Sequence, residues 1–191
     1  MKWTQAGLVA SIAALSMATI TLPARAQVVN GGFETGDFTG WVQTGDVSFS
    51  GVDPGVARSG SFGAFFGPTD VGGISQSFAT VANTPYHVSF SLSLSDSATP
   101  NSFSWSWNGV TQSLNLSNAA AFAYTDFSSD VLATGASSAI AFNFRNPQSF
   151  WLFDNVVVAA VPELPVNALL SAGFILIAAA TRRKARARVA P

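Results

Sequence analysis

Two carboxylates stand where their neighbours give a charge little company. Glu34 closes the run Asn30-Gly31-Gly32-Phe33-Glu34, and Asp154 interrupts the apolar stretch from Phe150 to Val158. Asp37 follows in Thr35-Gly36-Asp37. Carboxylates beside a glycine-rich turn, whose carbonyls can point inward, are the ligand chemistry of Ca²⁺, which takes about six to eight oxygens at roughly 2.3 to 2.6 Å. An unpaired carboxylate buried at position 154 would be costly, so that position needs a cation or hydrogen-bond donors. The alternative to a metal is that Glu34 and Asp154 accept hydrogen bonds from backbone amides or from the Trp41 indole. A cation closed in by protein oxygens would brace the fold, because it leaves no open position for a substrate.

A second constellation is aromatic. Phe103, Trp105 and Trp107 lie at i, i+2 and i+4, so in a strand they form a row on one face. Facing water, such a row is a platform for sugar rings; facing inward, it is core. The serines at 102, 104 and 106 occupy the opposite face and favour the core reading. Trp105 and Trp107 therefore stand as ligand-binding candidates only if the row is exposed. Arg145 and Asn146 are further candidates, as a pair able to hydrogen-bond sugar hydroxyls.

Catalytic chemistry has little to draw on. The single histidine, His87, alternates with serines on the solvent side of a strand pattern, and no cysteine nucleophile exists. The chain has no Gly-x-Ser-x-Gly elbow, His-Glu-x-x-His or phosphate-binding loop. A glycosidase pair could be drawn from the scattered acids, but no spacing singles one out. The expected protein is not an enzyme.

The elements that must carry these residues read as strands. Tyr86 to Leu94 alternates large apolar residues with His87, Ser89, Ser91 and Ser93, a period of two. The same period runs from Ser102 to Trp107, turns at Asn108-Gly109 and resumes from Val110 to Leu116, a strong hairpin signal. Further strands are expected at Val47–Phe49, Phe62–Phe66, Gly73–Thr80, Phe122–Ser128, Ala139–Asn146 and Phe150–Ala159. Nine or ten short strands with Gly, Pro, Asn and Ser between them predict an all-β sandwich of jelly-roll type over residues 27–161, with no helix. That body carries nine carboxylates against Arg58 and Arg145, which excludes a basic nucleic-acid footprint and suits calcium better.

Both ends carry membrane signals. Residues 1–26 combine Lys2, an apolar stretch from Ala6 to Leu22 and the small-x-small site Ala24-Arg25-Ala26, the pattern of a secretory signal peptide cut before Gln27. Residues 162–191 begin Pro162-Glu163-Leu164-Pro165, continue as an apolar run and end in Arg182, Arg183, Lys184, Arg186 and Arg188. A transmembrane helix over about 164–181 would reach roughly 27 Å, just short of the hydrocarbon core. The basic end at 182–188 predicts a cytoplasmic C-terminus with the body outside.

This tail resembles the PEP-CTERM sorting signal of Gram-negative bacteria: a Pro-Glu-Pro motif, a short transmembrane helix and an arginine-rich end. Leu164 departs from that motif, with Pro165 one place later, and leans toward the related Val-Pro-Leu-Pro-Ala signal. The resemblance implies a sorting enzyme of the exosortase type as partner, transient anchoring in the inner membrane, and delivery to the cell surface or the extracellular polysaccharide matrix.

The opening Asn30-Gly31-Gly32-Phe33-Glu34 and the closing Phe153-Asp154-Asn155-Val156 resemble jelly-roll domains of the galactose-binding and carbohydrate-binding-module type. The resemblance implies first and last strands lying side by side, stapled by a structural Ca²⁺. Glu34 and Asp154 match the ligand positions, with Asp37 as an extra, and Trp41 matches a core tryptophan. The expected function is a non-enzymatic surface or matrix protein, structural or adhesive, associated with exopolysaccharide. The alternatives are a dedicated carbohydrate-binding module and a secreted glycan hydrolase.

Overall fold

The computed structural model describes residues 28–161. The signal-peptide site at Ala24 and Ala26, the motif residues Pro162, Glu163 and Pro165, the helix expected over 164–181 and the basic residues Arg182 and Arg183 lie outside the described residues. Among the described residues, no helix is long and apolar enough to cross a membrane.

Ten strands carry the described chain: β1 Val42–Gly45, β2 Ser50–Asp53, β3 Gly63–Phe66, β4 Gly72–Ala79, β5 Thr84–Leu94, β6 Ser102–Trp107, β7 Val110–Ser117, β8 Phe122–Ala133, β9 Ser137–Arg145 and β10 Trp151–Ala160. One turn of 3₁₀ helix, Pro54–Val56, follows β2. All strand pairs are antiparallel. They form two five-stranded sheets, ordered β1-β4-β9-β6-β7 and β2-β3-β10-β5-β8. The result is an all-β, jelly-roll-like sandwich.

Period-two patterning accounts for most of these elements. β6 buries Phe103, Trp105 and Trp107 and turns its serines outward. Asn108 and Gly109 make the hairpin turn to β7 with φ of 49° and 79°, the left-handed pair a two-residue connection demands. One expected strand needed correction, and one strand was not expected. The strand expected at Val47–Phe49 instead begins at Ser50, because Asp46 Oδ1 accepts from Ser48 N and Phe49 takes φ 52°, which bends that segment into a turn. β1 went unforeseen because Val-Gln-Thr-Gly has one large apolar residue. Its pairing with β4, from Val42↔Ser75 to Gly45↔Gly72, is what makes it a strand.

The first and last strands do not pair: β1 and β10 lie in opposite sheets. What rests on β10 is the turn before β1, where Val156 N donates to Gly31 O at 2.9 Å. A Cβ at Gly31 would collide with the Val156 carbonyl, so this approach requires glycine.

The core between the sheets is mostly aromatic. Phe66 stacks on Phe144 with centroids 4.0 Å apart, and Phe142 sits 4.6 Å from Phe153. Three of the four buried indoles have a backbone acceptor at 3.1 Å: Trp41 donates to Asn30 O, Trp107 to Leu132 O and Trp151 to Arg145 O. Without cysteine, packing of these rings replaces cross-links as the source of stability.

Candidate functional site

Asp154 owes its place to the pleat of β10. Trp151 and Phe153 face the core, so Asp154 points out of the sandwich, beside Ser91 of β5. It is nonetheless 0 % exposed, because the segment between the 3₁₀ turn and β3 crosses over it. That segment is tied down by its amides: Asp154 Oδ2 accepts from Arg58 N at 2.9 Å and Ser59 N at 3.2 Å. Asp154 Oδ1 accepts from Asn155 N at 2.6 Å. Glu34 holds the same segment from the other side, accepting from Ser61 N at 3.0 Å and Phe62 N at 3.2 Å. Tyr124 Oη donates to Val56 O at 2.7 Å, and burial pushes that phenol's pKa upward.

Burial also raises the Asp154 carboxyl above the usual carboxylate range, with the Glu34 charge adding to the effect and the Ser59, Asn155 and Arg58 amides opposing it. Gly32 lies between the two acids, and a Cβ there would stand 3.7 Å from both Asp154 Oδ1 and Glu34 Cγ. Gly60, at φ 71°, leaves room for the Glu34 carboxylate, which any Cβ would strike. Sequence reasoning did not connect residues 58–62 with these acids and placed Phe62 at the start of a strand; the signal that could have made the connection is the Ser-Gly-Ser turn around Gly60.

Asp37 does not join this pair. Its Oδ1 accepts from Thr35 Oγ1 at 2.7 Å and Thr39 N at 2.9 Å, and those hydrogen bonds, Thr35 first, lower its pKa. Asn30 completes that turn by donating to the Asp37 and Thr39 carbonyls. Among the described residues, no group of three or more His, Cys, Asp or Glu side chains could hold a metal ion. Two acids therefore converge where three were expected, and Trp41 donates to a carbonyl instead of to either acid. The donor chemistry of Glu34 and Asp154 suits a hard cation, and Asp154, buried within electrostatic reach of Glu34, lacks a cationic partner: the described ion pairs are Arg58–Asp126 and His87–Asp130.

The aromatic row is core. Phe103, Trp105 and Trp107 are 0 %, 2 % and 4 % exposed, so Trp105 and Trp107 offer no open face on which a sugar could stack. The cause is the pleat of β6, which sends all three between the sheets. Asn146 is likewise buried; its Oδ1 accepts from Ser149 N at 3.1 Å, and its Nδ2 has no partner. That amide shapes the β9–β10 turn and cannot form a sugar contact with Arg145 from inside the fold. Arg145 remains half-exposed at the end of β9, its Nε donating to Thr69 O at 3.2 Å.

The opposite face of the same strands is open and almost free of charge. Strand register aligns Thr44, Gly73, Asn143, Ser104 and Asn115 in one row across β1, β4, β9, β6 and β7. A second row runs Val42, Ser75, Ala141, Ser106 and Thr111, and at one end Arg145 pairs with Ser102, which in turn pairs with Ser117. This floor of small hydroxyl and amide side chains can hydrogen-bond neutral hydroxyls in a flat or extended ligand. Sequence reasoning saw its serines only as the solvent side of a strand.

No family model and no curated protein matches the sequence. Solved structures do match the fold. A CBM61 module in complex with β-1,4-galactotriose superposes with a TM-score of 0.60 at 17% identity, covering 72% of this chain and 100% of that one. The CBM22-1 xylan-binding domain from Paenibacillus barcinonensis gives 0.52 at 18% identity, over 75% and 100%. A family 16 carbohydrate-binding module gives 0.50 at 16% identity, over 69% and 97%. At such identities the likeness concerns the sandwich itself.

Proposed function

We propose that this protein is a non-catalytic glycan-binding module that takes neutral polysaccharide on the outward face of the β1-β4-β9-β6-β7 sheet. The observation that carries the reading is the row Thr44-Gly73-Asn143-Ser104-Asn115, which crosses all five strands without a charged side chain. Asn143 and Asn115 bring amides that donate and accept at once, which matches paired sugar hydroxyls. Arg145 closes one end of the sheet. The superposable modules that carry galactotriose or bind xylan support the same reading by analogy of fold.

The energetics predict weak binding. A neutral hydrogen bond contributes about 0.5 to 1.5 kcal/mol net, and no tryptophan among the described residues is exposed to add stacking, so a few contacts reach dissociation constants of roughly 0.1 to 1 mM. Weak, repeated contacts suit a long polymer, where neighbouring sites raise the effective concentration. A hydrolase reading finds less support, because Asp154 lies beneath a covering segment and cannot approach a glycosidic bond together with Glu34.

Glu34 and Asp154 would hold a structural Ca²⁺ in this proposal, bracing the covering segment against β10 far from the polar face. Export through the leader, processing of the tail by an exosortase-type enzyme and residence at the cell surface or in the polysaccharide matrix belong to the same reading; the sequences at the two ends support them.

The test is affinity electrophoresis of the full chain in mild detergent through gels containing xylan, β-1,4-galactan or no glycan. Retardation by a neutral glycan, reduced in Asn143→Ala with the melting temperature unchanged, is the expected result. Equal migration in every gel would sink the reading.

A further inference from the structure

The sandwich has two ends, and they differ in charge. At one end lie the β4–β5 loop, the β8–β9 loop, the β6–β7 hairpin and the close of β10, brought together because β5 pairs with β8 and β10 while β9 pairs with β4 and β6. The stretches that build this end, 79–86, 107–112, 131–137 and 157–161, include no Asp, Glu, Lys, Arg or His. The loops at the opposite end carry Asp46, Asp70 and Asp96, with Arg145 at the close of β9. Closest to the uncharged end along the strands are His87 and Asp130, which pair with each other at 2.7 Å.

Apolar side chains stand open at the uncharged end: Val110 is 65 % exposed, Leu132 53 % and Val81 42 %. Val110 and Leu132 line one hollow. The backbone behind them is paired from loop to loop, with Thr80 N donating to Ala136 O, Asn83 N to Ala133 O and Asn108 N to Ala139 O. Val71 is just as open at the opposite end, but it stands beside Asp70, whose Oδ1 accepts from Val71 N at 2.7 Å. A carboxylate resists approach to a lipid surface, which carries negative charge and borders a medium of low dielectric, whereas valine and leucine gain by it.

The chain also leaves the sandwich at the uncharged end. Val161 N donates to Pro85 O at 2.9 Å, and Pro85 is the register partner of Leu132. Four residues, Pro162-Glu163-Leu164-Pro165, separate Val161 from the apolar run that begins at Val166, and Glu163 is the one charge among them. Even fully extended, the step from Val161 to Val166 spans at most about 18 Å. A body tethered by that run therefore stays within reach of the bilayer, and the end it can bring there at no electrostatic cost is the one that bears Val81, Val110 and Leu132.

We propose that this uncharged end rests on the lipid surface, with Val81, Val110 and Leu132 among the headgroups. The tether rests on the reading of the tail as a membrane anchor; the contact of the sandwich with lipid is additional to it. In this pose the strands rise from the membrane, and the polar row of β1-β4-β9-β6-β7 faces sideways, clear of lipid.

The chain has no cysteine, so a single one can report position. Full-length Val110→Cys, Leu132→Cys and Val71→Cys, each carrying a small fluorophore, are reconstituted in vesicles of phosphatidylethanolamine and phosphatidylglycerol that contain a headgroup quencher lipid. Quenching is expected to be several-fold stronger at the Val110 and Leu132 positions than at Val71. Adding Leu132→Asp to Val110→Cys, a change at an exposed position, is expected to remove that excess while the melting temperature holds. Flotation of the same vesicles reads the tail by itself. A chain that floats with equal quenching at all three positions, or with quenching undiminished by Leu132→Asp, overturns the contact and keeps the anchor. A chain that does not float overturns both.

Discussion

The two outward faces of this sandwich have opposite fates. On β2-β3-β10-β5-β8, acids point outward at Asp154, Asp126 and Asp130, and the chain answers each one: loop amides for Asp154, Arg58 for Asp126, His87 for Asp130. On β1-β4-β9-β6-β7, the outward residues are mostly hydroxyls, amides and alanines, with Val42 and Arg145 the exceptions, and no loop among those described is bound over them by a carboxylate. The first face holds a loop and ion pairs against the sheet, whereas the second keeps its neutral polar groups toward solvent. A charge buried under a loop is a structural debt, while small neutral polar groups cost little to leave in water.

Removing the largest debt gives the largest effect. Asp154→Ala leaves the Arg58, Ser59 and Asn155 amides without their acceptor, and an unsatisfied buried donor costs about 1 to 3 kcal/mol. Urea unfolding is expected to register a loss of roughly 3 kcal/mol or more, while glycan retardation of the folded fraction persists. A loss of retardation with stability intact would erase the contrast between the faces.

Calcium sharpens the same contrast. A cation held by Glu34 and Asp154 stabilises by about 2.7 kcal/mol at a hundred times its dissociation constant. Melting in excess Ca²⁺ against chelator is expected to differ by several degrees, and the difference should vanish in Glu34→Gln. Identical melting curves would mean that amides alone hold the covering segment.

On the open face, Asn143→Ala and Asn115→Ala together are expected to weaken glycan binding about tenfold, corresponding to roughly 1.4 kcal/mol, with unchanged unfolding. Trp107→Phe removes one buried indole hydrogen bond to Leu132 O and is expected to cost about 1 kcal/mol of stability without altering glycan retardation. A fall in retardation there would return the aromatic row to the binding site.

Acid titration separates two carboxylates by sign. Asp154 has its folded pKa raised by burial, so its contribution to stability is greatest below the unfolded value near 3.8 and is lost as pH rises through the folded one. Asp46, held by Ser48, Asp70 and Thr69, has its pKa depressed, so its contribution is present above 3.8 and lost as pH falls toward the folded value. Between pH 7 and pH 3, the stability difference between wild type and Asp154→Asn is therefore expected to move in the wild type's favour. The difference between wild type and Asp46→Asn is expected to move against it. Parallel slopes would contradict these assignments.

Much of the fold was legible because each strand reports its own period. Tyr86 to Leu94 and Ser102 to Trp107 declare a buried face in their own side chains, and Asn108-Gly109 declares its turn. The candidate site was legible only in fragments. Glu34 and Asp154 could be picked out as acids in need of company, but the amides that supply it come from residues 58–62, some 95 positions away from Asp154 in the chain. The aromatic row and Asn146 were misplaced as ligand candidates for a related reason: the same residue types suit a core and a sugar platform, and only the second sheet decides which.

Local alternation, glycine-dependent turns and the absence of cysteine were determined by the amino-acid sequence alone, since each depends on neighbours within a few residues. Strand order and register were decided by the tertiary structure. They bring Thr44, Gly73, Ser104, Asn115 and Asn143 into one row although they are spread over most of the body. The physical reason is that a sheet is closed by backbone hydrogen bonds that any residue can make, so pairing follows from how all the buried faces pack together.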